Sequence, residues 1–154
     1  MPLALTSPSP PLPGNLLPAS EAPEAVCRPL FRSHVAAGFP SPASDYIERG
    51  LDLNSYLIRN KAATFFFRVK GDSMIGARIH DGDLLVVDRS IQAEHGHVVL
   101  AVVDGEYTVK RLNKRAGVIE LHAENPDYPP IRFSDGQELQ IWGVVIGTVC
   151  KFIG

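Results

Sequence analysis

The stretch KGDSMIGARIHDGDLL, residues 70 to 85, places Ser73 between Asp72 and Met74, directly after the apolar run Phe65 to Val69. A strand that ends in a Gly-flanked turn can hold a hydroxyl at a fixed position, which is how a nucleophile is usually presented. A loop serine alone is no such signal, so a group able to take its proton has to be found. The histidines (His34, His80, His95, His97 and His122) form no GxSxG elbow with Ser73, and no HExxH pattern is present. A lysine is the other route to a serine nucleophile, and Lys110 stands in a position that could supply one.

In HVVLAVVDGEYTVKRL two strand-like runs flank Asp104 and Gly105, the preferred pair for a two-residue type I′ hairpin turn. That turn fixes a register. With Val103 opposite Glu106, Lys110 faces Val99, Thr108 faces Ala101 and Leu112 faces His97, all on one side of the sheet. A lysine on a strand is ordinarily a solvated edge charge. Here the predicted neighbours are mainly apolar or small, and desolvation disfavours the ammonium form. An unperturbed lysine is neutral about once in 2,500 molecules at pH 7, whereas a drop of roughly three units leaves about three in ten neutral. A neutral Lys110 is able to accept the Ser73 proton.

The elements that must position these two residues are mostly β. FFFRV, LLVVD, HVVLAVV, YTVKRL, VIELHA and the long LQIWGVVIGTVCKF read as strands, most of them separated by Gly, Asp, Asn or Pro clusters. DLNSYLIR, residues 52 to 59, reads as one short helix with Asp52 as N-cap. Asp81, Gly82 and Asp83 form a polar turn before LLVVD with a structural role. His95 and His97 straddle Gly96 at a strand entrance, a turn pattern and not a metal pair. No metal site and no cofactor are expected.

Ten of the 13 prolines fall within residues 1 to 42. The opening MPLALTSPSPPLPGNLLPASEAPEA has neither helical nor strand periodicity, so a mobile, extended arm is expected as far as Pro29. Leu30, Phe31, Val35 and Phe39 then give the next piece apolar contacts suited to a surface or a groove. With 154 residues, 45% hydrophobic and 21% charged, the chain suits one globular domain with an appendage. A net charge of −2 offers no basic field to hold nucleic acid directly. Cys27 and Cys150 form no disulfide or metal framework and read as inert thiols in a reducing compartment. No apolar window of about 18 residues and no signal-peptide pattern occurs, so no membrane attachment and a cytoplasmic location are expected.

GDSM at 71 to 74, DGDLLVVD at 81 to 88 and DGEYTVKRL at 104 to 112 together resemble the self-cleaving serine–lysine proteins of the bacterial SOS response, the LexA/UmuD peptidase family. GFPSPASDYIE at 38 to 48 is similar to the segment just after the cleavage site of the UmuD-type members. The resemblance runs from about Phe31 to Val149. It implies a mainly β fold, a LexA/signal-peptidase-like β-domain over residues 38–154, preceded by a flexible proline-rich arm, residues 1–37, that self-cleavage removes. It makes Ser73 the nucleophile and Lys110 the general base, with the scissile bond between Ala37 and Gly38, although UmuD-type members often carry cysteine where this chain has Ala37. Backbone N–H groups of Asp72 and Ser73 would hold the oxyanion, in a tight turn that Gly71 permits.

The resemblance further implies that a RecA filament on single-stranded DNA stimulates cleavage. The product, starting at Gly38, would then form a homodimer and join a UmuC-like polymerase as the accessory subunit of error-prone translesion synthesis. Three other readings compete. A LexA-like repressor needs a helix-turn-helix ahead of the cleavage site, for which residues 1 to 37 lack the helical pattern, and no direct sequence-specific DNA binding is expected. A signal peptidase needs a membrane anchor. A non-catalytic polymerase-interaction module would keep Ser73 and Lys110 as a vestigial site.

Overall fold

The Asp104–Gly105 turn has φ of +48° and +87°, the left-handed pair that a type I′ turn requires, and it sets the geometry of the molecule's centre. The strands on either side pair as the turn dictates, with Val103 opposite Glu106, Ala101 opposite Thr108 and Val99 opposite Lys110. In this computed structural model the described residues are 24–32, 34–40, 46–134 and 136–154. The predicted arm from residue 1 to 23 lies outside them.

Among the described residues the strands are β1 (Cys27–Phe31), β2 (Ile47–Asp52), β3 (Thr64–Arg68), β4 (Leu84–Asp88), β5 (Val98–Val103), β6 (Glu106–Arg115), β7 (Val118–His122), β8 (Ile131–Arg132) and β9 (Leu139–Val149), with a single helix, α1 (Leu53–Leu57). The protein is mainly β, as expected. β3 to β9 make a seven-stranded antiparallel sheet in the order β3-β4-β9-β5-β6-β7-β8, and β1 and β2 pair separately as a two-stranded ribbon. The last long strand therefore sits in the middle. Its pairing skips Trp142 against β5 and Ile146 against β4, two bulges that bend it.

The central strands are buried on both faces, which explains their near-continuous apolar sequence. Leu100 packs with Met74, Ile79, Leu85, Val87 and Trp142, while its neighbours Val99 and Ala101 pack with Leu112, Leu121, Leu139 and Val144. Each such aliphatic side chain contributes about 1.5–3 kcal/mol on leaving water. The β6–β7 turn is a second two-residue connection, with Ala116 at φ +49° and Gly117 at +81°.

Two expectations need correction, and two strands were not foreseen. The mobile arm was expected to extend to Pro29, but Cys27–Phe31 is a strand, since Pro29 lies opposite Gly50 on a two-stranded ribbon where a missing N–H is tolerated. The helix over 52–59 is shorter. Asp52 does cap it, accepting from Asn54 N and Ser55 N at 3.3 Å, but Ile58 is already extended and Asn60 turns the chain with its side chain on Ala62 N. Finally, β2 and β8 carry no strand signature in sequence, because IERGLD is charged and Gly-containing and β8 has only two residues.

Candidate active site

Lys110 stands fifth in β6, opposite Val99, and is buried at 8% exposure. Its Nζ lies 2.8 Å from Ser73 Oγ, 3.1 Å from Thr108 Oγ1 and 3.0 Å from the Val109 carbonyl oxygen. No carboxylate pairs with it among the described residues. Burial alone therefore acts on the amine and pushes its pKa below the ordinary lysine value. The environment predicted from the hairpin register is the one observed.

Ser73 follows β3 in a turn fastened on both sides. On the near side, Gly71 at φ +96° donates its N–H to Asp81 Oδ1 at 2.6 Å, a conformation that suits glycine. The DGD turn is structural, as expected. Gly82 N donates to the Val69 carbonyl, Val69 N donates to the Asp83 carbonyl, and the Asp83 carboxylate accepts from His80 N. After Ser73 the chain enters a single 3₁₀ turn, Ile75–Ala77, with Met74 buried in the core beneath it.

On the far side of that turn lies a loop that sequence reading missed. Glu124 N donates to the Ser73 carbonyl at 2.9 Å, and Gly76 N donates to the Glu124 carbonyl at 2.7 Å. Asn125, which is buried, donates from Nδ2 to the Asp72 carbonyl at 3.1 Å. The Tyr128 hydroxyl donates to Asp72 Oδ1, and that carboxylate pushes the phenol pKa upward. The signal available in sequence was Asn125–Pro126–Asp127, a turn-forming triplet. Thr108 was also missed as a functional group, although the register had placed it on the same side of the sheet as Lys110.

Ser73 and Lys110 face a cleft of about 260 Å³ whose walls include Phe67, Val69, Met74, Leu100 and Thr108. Ala37 and Gly38 are elsewhere. They are exposed, on the connection between β1 and β2, and neither borders the cleft. The structure thus brings together Ser73, Lys110 and the Asp72–Ser73 backbone but not the expected scissile bond. His95 and His97 serve turns, each Nδ1 accepting a backbone N–H, from Lys114 and Glu94 respectively. Among the described residues no group of three or more His, Cys, Asp or Glu side chains could hold a metal ion. Cys27 and Cys150 are both free and exposed, and no described helix is long and apolar enough to cross a membrane.

A buried lysine on a serine hydroxyl beside an open cleft can act as base toward that hydroxyl if the amine is neutral. The chain is also similar to known proteins. Protein SamA of Salmonella typhimurium is 46% identical over 136 residues, which is 88% of this chain and 94% of SamA. Protein ImpA of Escherichia coli is 48% identical over 127 residues, 82% of this chain and 86% of ImpA. The LexA repressor of Shewanella baltica is 45% identical over 116 residues, 75% of this chain and 56% of the repressor. The family model described as Peptidase S24-like matches residues 29–146, a span that holds the β1–β2 connection, the Ser73 turn and Lys110. The resemblance carried by GDSM, DGDLLVVD and DGEYTVKRL is borne out, and the chain belongs to the Peptidase S24-like family.

Proposed function

We propose that this protein cuts its own chain between Ala37 and Gly38, with Ser73 as nucleophile and Lys110 as general base, and acts in SOS mutagenesis. The observation that carries the reading is the 2.8 Å contact between the Lys110 amine and the Ser73 hydroxyl, made by a buried lysine with no carboxylate partner among the described residues. A neutral amine has two N–H donors and one lone pair. The Thr108 hydroxyl and the Val109 carbonyl take the two donors, which turns the lone pair to the Ser73 O–H.

From that state Ser73 Oγ attacks the Ala37 carbonyl as its proton passes to Lys110. The N–H groups of Asp72 and Ser73 receive the oxyanion. The Lys110 ammonium then gives its proton to the departing Gly38 nitrogen, leaving residues 1–37 as an ester on Ser73. Water attacks that ester with Lys110 again as base, releasing the Ala37 carboxylate and restoring the serine. Small side chains at Ala36, Ala37 and Gly38 let the strand enter the cleft without steric overlap.

The substrate loop stands outside the cleft, so cleavage requires the β1–β2 connection to move to Ser73. An activator can act here only by favouring the docked state over the undocked one. A RecA filament on single-stranded DNA is the proposed activator. The product, residues 38–154, is proposed to form a homodimer and to serve as accessory subunit of a UmuC-like translesion polymerase in the cytoplasm. The test is an intact-mass measurement of the protein incubated with RecA, single-stranded DNA and a nucleotide triphosphate. Two fragments, ending at Ala37 and beginning at Gly38, are expected; an uncut chain, or a cut elsewhere, would overturn the reading.

A further inference from the structure

We infer that the loop Glu124–Tyr128 positions the nucleophile: it fixes the 72–76 turn relative to β6 and sets the directions of the Ser73 hydroxyl and the Ser73 N–H. This inference rests on the peptidase reading above and adds residues to it that touch neither Lys110 nor the bond being cut.

The argument begins with peptide geometry. A trans peptide points its N–H and its preceding carbonyl in opposite directions. Asn125 Nδ2 holds the Asp72 carbonyl at 3.1 Å, so the Ser73 N–H in the same peptide plane is turned away from the loop, free to meet an oxyanion on the other side. The next carbonyl, that of Ser73, is held by Glu124 N at 2.9 Å, and Gly76 N returns a bond to the Glu124 carbonyl at 2.7 Å. Two consecutive peptide planes on either side of the nucleophile's Cα are thereby fixed by one loop. Rotation of the Ser73 backbone, which would swing Oγ away from Lys110, breaks at least one of these bonds.

The loop is itself held. Asn125 is 6% exposed, its Oδ1 accepts from Asp127 N, and its carbonyl accepts from Tyr128 N. Asn125 cannot turn without losing those contacts in a site closed to water. Arg111, the residue after Lys110 on β6, pairs its guanidinium with the Glu124 carboxylate and with the Gly96 carbonyl. The loop therefore touches the base-bearing strand at one end and the nucleophile turn at the other, and the Tyr128–Asp72 hydrogen bond closes it over the turn. The approach is tight. A Cβ added to Gly76 would lie 2.6 Å from the Glu124 carbonyl oxygen, so even one methyl group must displace one segment from the other.

Asn125→Ala and Tyr128→Phe in the full chain test this, with self-cleavage rates followed from pH 7 to 10 below each variant's melting temperature. Asn125→Ala is expected to lower the rate about tenfold or more at every pH, and Tyr128→Phe about threefold, since sub-ångström misplacement of a reacting group costs on that order. The pH midpoint should stay at the parent's value, because the shift of Lys110 comes from its burial on β6 and not from its contact with Ser73. A loop that served only to stabilise the fold would lower the melting temperature and leave the rate of folded molecules at the parent's level. That result would overturn the inference. Should Asn125→Ala fail to fold, Tyr128→Phe decides alone, since it removes only a hydroxyl from a side chain 42% exposed. A parent protein that does not cut itself would instead defeat the peptidase reading, so the two failures are distinguishable.

Discussion

Lys110 Nζ rests 2.8 Å from Ser73 Oγ across 37 positions of sequence, and no carboxylate among the described residues pairs with the lysine. Ser73→Ala and Lys110→Ala should each reduce self-cleavage by at least about 10³-fold while the β-domain stays folded. Lys110→Arg should be equally inactive, because a guanidinium does not deprotonate in the working range. Intact mass over time, with circular dichroism as the folding control, reads the outcome. Cleavage retained by folded Ser73→Ala would remove the nucleophile assignment.

The base must be neutral to work, so cleavage without activator should accelerate from pH 7 toward 10 and level off. The midpoint should lie below the ordinary lysine pKa, because burial favours the uncharged amine. The same shift has a sign in stability. Between the folded and unfolded pKa values the unfolded chain binds the extra proton, so stability rises with pH across that window and is lost as pH falls through the folded value. Lys110→Met removes the titration. Its melting temperature should therefore gain more over the parent's at pH 6 than at pH 9.5, and an equal difference at both would contradict a desolvated lysine.

Cleavage should give two fragments, residues 1–37 and 38–154, with the larger one beginning Gly-Phe-Pro-Ser-Pro on N-terminal sequencing. Ala37→Trp or Gly38→Trp should block it, since an indole does not fit beside the nucleophile in a cleft of about 260 Å³ that must also hold the flanking backbone. Deleting residues 2 to 25 should leave the rate nearly unchanged, because that stretch has little apolar surface with which to dock. Loss of cutting in the deletion would relocate the substrate segment.

Ala116 occupies the first position of the β6–β7 turn at φ +49°, where a Cβ is unfavourable and Asn is the preferred side chain. Ala116→Asn should stabilise the protein by about 0.5–1 kcal/mol, seen as a higher denaturant midpoint with an unchanged slope. Cleavage should be unaffected, and no shift in midpoint would contradict strain at this residue.

The places of Ser73 and Lys110 were legible in sequence because the position of each is set largely by its own local turn. Asp104 and Gly105 encode the turn, the turn encodes the register, and the register buries Lys110 opposite Val99. The Gly71 turn likewise announces itself through KGDSM and DGD. The loop at Glu124–Tyr128 was not legible as part of the site, since its contacts with Asp72, Ser73 and Gly76 span about fifty positions and use mostly backbone groups that every residue carries. β1 was hidden for another reason. Its strand character comes from its partner β2, and neither segment has the alternation that a buried face would impose.

The order of strands also bears on when Ser73 and Lys110 can be brought together. Ser73 belongs to the β3–β4 edge and Lys110 to the β5–β6 side, and β9 lies between those halves, paired with β4 on one flank and β5 on the other. During synthesis both reactive residues leave the ribosome well before Leu139–Val149 does. Until that strand is inserted, the sheet has no continuous path from one residue to the other. Under the proposed self-cleavage, the chain would therefore be unable to cut itself before Leu139–Val149 had been made and inserted, so that cutting would report a completed sheet.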